Sequence, residues 1–231
     1  MAAVEPFRPP TSVAESIAAT LRDRLASGIY APGTWIRESS LAEEFKFSNG
    51  PIREALQTLV NEGLLVREPW KGVRVVHLSD NEIVEIFELR LALQEQAAEL
   101  AVHFATDDQL KEARALLDQM KEVLERGDIE AQMPLGGRLS QWLCSCSGNS
   151  RLEQNWSRLT YLTRMYIYAS LRDSKDLRSV AIAWEQLVTA IEQRDVSAAR
   201  QSVRNLVRRT LRDLGLQLRI DAQGRPQPRS T

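Results

Sequence analysis

Apolar residues recur along the chain at spacings whose character changes once, near residue 78. Before that point they mark short helices broken by turns. Ser12 and Glu15 form a capping-box pattern beside Val13, Ile17, Leu21 and Leu25, a repeat of four that lines one side of a helix stopping at Ser27-Gly28. A Pro-Gly turn at Pro32-Gly33 leads into a short extended piece, Trp35-Ile36. Ser40 and Glu43 form a second box, predicting a short helix over 41–45. Ser48 is placed to cap a third helix reaching about Asn61, with Pro51 in its first turn, where a missing N–H breaks no bond. Ile52, Leu56, Leu59 and Val60 are its buried stripe. Residues 64–67 and 73–76 then read as two strands around the turn-rich loop Glu68-Pro69-Trp70-Lys71-Gly72.

From Ser79 onward the period is helical with little interruption. Capping boxes at Ser79–Glu82 and Thr106–Gln109 open helices that run to about Ala105 and Arg126. A run at 129–147 contains Pro134 and Gly136-Gly137, which predicts a kink or a late start. Further helices are expected at 150–172, 175–193 and 195–219. The chain thus divides into a flexible arm at 1–10, a first domain at 11–78, an all-helical second domain at 79–219 and a disordered tail at 220–231. The predicted fold class is mainly α. An N-terminal winged helix-turn-helix with a small β-hairpin wing precedes a C-terminal antiparallel helical bundle. In a winged helix the third helix fits the major groove of DNA, and the hairpin tip reaches the neighbouring backbone or minor groove.

Composition removes alternatives more than it adds them. Hydrophobic residues make up 43% of the 231 and charged residues 26%, which excludes a disordered chain. Two cysteines, Cys144 and Cys146, make no disulfide framework and point to a reducing compartment. Two histidines, His77 and His103, cannot build a three-imidazole zinc site and leave few candidates for histidine acid–base chemistry. With no phosphate-binding glycine loop and no nucleophile motif, nothing supports an enzyme. No apolar run approaches the ~20 residues that span a bilayer, and the N-terminal stretch has no apolar core, so a cytoplasmic protein without a membrane partner is expected. The net charge of −1 is an average over three zones. Residues 1–78 are balanced, 79–199 hold thirteen basic against twenty acidic groups, and 200–231 hold eight against two. Arg200, Arg204, Arg208, Arg209 and Arg212 form a basic stripe on the last helix, either a solvated face paired with the acidic centre or an additional DNA contact.

The wording of the first domain is specific. Pro32-Gly33, then Leu41-Ala42-Glu43-Glu44-Phe45, then Ser48-Asn49-Gly50-Pro51-Ile52-Arg53-Glu54-Ala55-Leu56, then Leu59-x-x-Glu62-Gly63-Leu64-Leu65, resembles the GntR family of bacterial transcription regulators over residues 11–78. Arg53 falls in the first turns of the reading helix, where a guanidinium can take guanine O6 and N7 together; its bland alternative is a pair with a nearby carboxylate. Ser48 suits a cap and a phosphate contact. Asn49-Gly50 stands where the family carries Arg-Thr, so an amide replaces a guanidinium contact. Lys71, Gly72 and Arg74 suit backbone contact from the wing. Because the domain is neutral overall, Glu62 and Glu68 are expected to turn away from the DNA.

The second domain also carries a resemblance. Phe87-Glu88-Leu89-Arg90-Leu91-Ala92-Leu93-Gln94, Leu139-x-x-x-Leu143-x-x-x-Ser147-Gly148-Asn149, and Trp184-x-x-Leu187-x-x-Ala190-Ile191-x-x-x-Asp195 look like the FCD-type effector domain of the FadR subfamily. That resemblance implies a homodimer that senses a small molecule in its helical bundle and changes its affinity for operator DNA. Most such domains hold a metal through an Asp and three His. Here those positions are Gly136, Ser140, Trp184 and Asn205, so no metal and no other cofactor is expected. Arg90 stands where the family arginine often reaches an anionic effector or a neighbouring carboxylate. Ser140 and Asn205 offer hydrogen bonds, and the Trp184 indole either fills the vacated space or walls a pocket. The reading is a repressor of a nearby catabolic or transport operon, released from a palindromic operator by a small organic effector, aromatic or apolar in character, bound without metal. The alternative is a constitutive or architectural DNA-binding protein whose pocket Trp184 closes.

Overall fold

Ser12 opens the first helix as its sequence dictates: its hydroxyl accepts the Glu15 backbone N–H at 3.1 Å, and α1 runs Val13–Ala26. The computed structural model describes residues 12–172, 174 and 176–220, and the chain divides into two units between His77 and Leu78. The expected arm at 1–10 and the tail from 221 lie outside the described residues.

In the first unit α1 is followed by β1 (Trp35–Ile36), α2 (Glu38–Phe45), α3 (Asn49–Asn61), β2 (Leu65–Glu68) and β3 (Gly72–Val75). The wing is a three-stranded antiparallel sheet in the order β1-β3-β2, with Trp35 opposite Arg74 and Ile36 opposite Val73. That pairing corrects the start of α2. With β1 pinned by β3, the chain turns straight into the helix at Glu38 rather than at 41. Arg37 is then the N-cap, with no side-chain cap bond, and Ser40 lies inside the helix. Lys46, at φ 57°, ends α2 in the left-handed region and delivers the chain to Ser48. Ser48 is the N-cap of α3 in extended conformation, but its hydroxyl makes no cap bond. Ile52, Ala55, Leu56 and Leu59 of α3 are fully buried, along with Leu21 of α1 and Val73 and Val75 of β3. One face of α3 is therefore fixed in the core while Arg53 and Glu54 stay exposed. Arg22 ties α1 to the far end of α3 by donating to both Glu62 oxygens, at 2.6 and 2.8 Å.

The second unit consists of α4 (Asp80–Phe104), α5 (Asp107–Glu125), α6 (Ile129–Ser145), α7 (Ser150–Arg172), α8 (Arg178–Glu192) and α9 (Val196–Asp213). Both capping boxes form, at Ser79–Glu82 and Thr106–Gln109. α6 is one helix with Pro134, Gly136 and Gly137 inside it, opened by Asp128 accepting the Ala131 N–H. The last helix ends at Asp213, not at 219. Gly215 takes φ 76°, its N–H donates to the Arg212 carbonyl, and the Leu216 N–H donates to the Leu211 carbonyl, which closes the helix. Leu216 and Leu218 then return to the core, and Arg219 pairs with Glu88. Much of the basic stripe on α9 is used internally: Arg204 pairs with Glu95 and Arg200 with Glu99, both on α4. Arg209 is buried and donates to Ser174 Oγ, Ser179 Oγ and the Asp176 carbonyl, holding the link between α7 and α8.

Cys144 and Cys146 are both buried, and burial pushes both thiols up to about 12. Against an ordinary value of 9.0, that leaves roughly a thousandfold fewer thiolates at neutral pH. Iodoacetamide at pH 8 should therefore label the native chain far more slowly than the urea-unfolded chain, as followed by intact-mass spectrometry; equal rates would contradict this burial.

Candidate DNA-reading face and ligand chamber

The open end of α3 carries Ser48, Asn49, Gly50 and Arg53, all exposed. Arg53 Nε donates to Glu38 Oε2 at 3.1 Å, and Arg67 Nη1 donates to Glu38 Oε1 at 3.2 Å. One carboxylate of α2 thereby joins the reading helix to the wing strand β2. The guanidinium is 67% exposed, and such a pair contributes about 0–1 kcal/mol, so a base edge or phosphate can displace Glu38 at little expense. On the wing, Lys71 Nζ donates to Glu68 Oε2 at 3.3 Å and Arg74 Nε to Glu68 Oε1 at 3.1 Å. Arg74 also lies over the Trp35 ring. Glu62 turns inward to Arg22, as expected. Glu68 stays on the wing, where cross-strand pairing puts it opposite Gly72 and it engages Lys71 and Arg74. Gly72 has φ 106°, a conformation open to glycine but strained for other residues.

In the helical unit a cavity of about 400 Å³ opens among α4, α6, α7, α8 and α9. Arg90, Gly136, Ser140 and Trp184 line it; Asn205 does not. Asn205 is exposed and accepts a hydrogen bond from Gln201, one turn back on the same helix. Because α9 is amphipathic, its next residues Leu206 and Val207 face the cavity in its place. Trp184 is buried in the wall, and a Cβ placed on Gly136 would meet no atom within 4 Å. The indole therefore leaves the space in front of Gly136 open.

Arg90 is the unusual group. It is 6% exposed, its guanidinium lies 4.1 Å from the centroid of the Trp156 ring, and Nη1 donates to Thr163 Oγ1 at 2.8 Å. Among the described residues no carboxylate pairs with it, and burial pushes its pKa well below the ordinary arginine value. A buried charge whose partners are one indole face and one hydroxyl is incompletely compensated. Arg138, Arg164 and Arg209 also line the cavity, and not one described lining residue is Asp or Glu. Gln132, 1% exposed and in the lining, has an Oε1 that receives no hydrogen bond. Sequence reasoning missed Glu38, Arg67 and Gln132, because no local pattern marks a residue whose partner is remote in the chain. At the family's metal positions the donors are a glycine, a serine hydroxyl, an indole and an amide outside the cavity. They do not make a ligand set. Among the described residues no three of His, Cys, Asp and Glu come together, and no helix is long and apolar enough to cross a membrane.

A winged helix with its reading helix open, followed in the chain by a helical bundle enclosing a ligand-sized cavity, defines a DNA-binding regulator with a sensing half. The chain belongs to the gntR family of bacterial regulatory proteins, matched over residues 13–75, and carries an FCD domain over residues 85–209. It is 26% identical over 192 residues to the gluconate operon transcriptional repressor of Bacillus subtilis, covering 81% of this chain and 79% of that one. It is 28% identical over 193 residues to a probable D-xylose utilization operon transcriptional repressor of Paenarthrobacter nicotinovorans, covering 84% of each. Its fold matches that of E. coli McbR/YncC with a TM-score of 0.79 at 22% identity, over 89% of this chain and 98% of the other. These relatives are transcription regulators, and this chain is a regulator rather than an enzyme.

Replacing Arg90 by Met removes an uncompensated buried charge while keeping the bulk over Trp156. In the ligand-free protein the melting temperature of Arg90→Met should equal or exceed that of the parent in a calorimetric scan. A fall of several degrees would mean that the guanidinium is already well satisfied.

Proposed function

We propose that the chain is a dimeric repressor acting in the cytoplasm on a palindromic operator beside a catabolic or transport operon. It is released by a small organic anion that enters the helical chamber without a metal. The single observation that supports this best is Arg90, buried with no carboxylate partner among the described residues in a cavity that four arginines line. A carboxylate or phosphate there would supply the missing counter-charge. The apolar body of the effector would lie along Trp184 and Leu206, and a hydroxyl, amine or amide N–H would donate to Gln132 Oε1. An aromatic or apolar body remains compatible, but the effector carries an acid group. The alternative with a closed pocket lacks support, since the space in front of Gly136 is open. Effector affinity for the DNA-released state over the DNA-bound state would shift the population, with the two sites linked reciprocally.

On the DNA side Asn49, Gly50 and Arg53 read the groove, while Ser48, Lys71, Gly72 and Arg74 position the domain on the backbone. Arg53→Ala should weaken binding to the selected operator by ~1–3 kcal/mol and relax base preference, measured by fluorescence anisotropy; unchanged affinity would remove Arg53 from the reading set. The effector reading is tested by scanning small carboxylic acids, organic phosphates and their uncharged amide or alcohol counterparts for a rise in melting temperature and for release of that operator. Acids should act, their neutral counterparts should not, and Arg90→Met should abolish the response with or without a chelator present. Release by the neutral counterparts alone would overturn it.

A further inference from the structure

We propose that Trp70, at the tip of the wing, is a wedge that enters the minor groove of the operator and partly unstacks a base step. The proposal rests on the DNA-binding reading of the winged helix. Trp70 is fully exposed, whereas Trp142, Trp156 and Trp184 are all buried. Its backbone is as unusual as its side chain. The Lys71 N–H donates to the Glu68 carbonyl at 3.2 Å, so Glu68-Pro69-Trp70-Lys71 is a tight turn with Pro69 second and Trp70 third at φ 66°. A positive φ behind a proline is the mark of a type II turn, whose third position favours glycine or asparagine. Tryptophan is therefore neither the residue that the turn prefers nor one that packing on its own unit explains.

Its surroundings point to nucleic acid. Residues 66–74 carry Arg67, Lys71 and Arg74 against one acid, Glu68. The three cations pair with Glu38 and Glu68 at the surface, and an exposed aromatic side chain on so basic a hairpin suits a polyanion that offers stacking faces better than an apolar protein partner. The tip is joined to the reading face inside one unit: Arg67 of β2 shares the Glu38 carboxylate with Arg53 of α3. With α3 in the major groove, a wing on that side meets the adjacent minor groove. Apolar side chains that enter there pry steps apart and bend the duplex, and pyrimidine–purine steps open most easily. Trp70 would thus add preference for a TA or CA step at a flanking position without any hydrogen bond to a base.

The test uses the full-length protein and a duplex enriched by it from a randomised pool. Trp70→Gly suits the positive φ, so it should melt no lower than the parent, which separates lost contact from lost fold. Its affinity for the enriched duplex should fall about tenfold. The slope of affinity against salt should stay the same, since no phosphate contact is removed. A thymine at the flanking step should be hyperreactive to permanganate with the parent and not with Trp70→Gly, while Trp70→Phe should keep much of the effect. Unchanged affinity overturns the proposal, as does an affinity loss without a change in thymine reactivity, which would place the indole on the backbone. A parent protein that enriches no duplex overturns the DNA-binding reading itself, and Trp70 with it.

Discussion

Arg90 holds a full positive charge inside a helical bundle against an indole face 4.1 Å away and a threonine hydroxyl. Most of the ligand chamber makes sense around that arrangement. A cation buried in this way is expensive unless a counter-charge arrives, and no carboxylate among the described residues pairs with it. The segment 79–199 is the most acidic in the chain, yet several of its described carboxylates engage other arginines. Glu95 and Glu99 face α9, Glu185 and Glu192 engage Arg114, and Glu88 takes Arg219. These acids stitch helices together, and in the lining Arg209 pairs with Asp213 while Arg90 meets no carboxylate among the described residues. A chamber lined by arginines and by no described Asp or Glu is suited to a ligand that brings negative charge.

The reading domain solves the opposite problem. It must bind a polyanion although its acidic and basic groups are equal in number. It does so by using acids internally. Glu62 holds Arg22 between α1 and α3, Glu44 holds Arg24, and Glu38 holds Arg53 and Arg67. The first is half-buried and braces the scaffold. The last lies at the surface and can be exchanged for DNA. Exposed pairs of this kind contribute little to stability, so exchanging one for another anion costs little.

Much of this was legible in the chain. The capping boxes at Ser79 and Thr106 form as their spacing demands, because the cap is a bond between near neighbours. Ile52, Leu56 and Leu59 of the stripe bury as its period predicts, while Val60 is only half-buried. The misses share one cause. Ser40–Glu43 resembles a cap, but the sheet pairing of Trp35 and Ile36 starts the helix earlier at Glu38. The register of the resemblance points Asn205 to the pocket, but Leu206 and Val207 face it. The end of α9 was set too late, because Gly215 closes the helix and lets Leu216 and Leu218 reach the core.

By itself the sequence determined the mainly helical fold class, most of its helices and the helix-turn-helix motif, since these follow from periods and caps spanning a few residues. It also determined that three imidazoles are unavailable, a matter of counting. Only the tertiary structure decided that Arg90 meets no acid among the described residues, that Gln132 keeps an orphan oxygen, and that Glu38 binds two arginines 15 and 29 residues away. Electrostatic compensation depends on which groups meet across helices, and no local pattern of residues encodes that meeting.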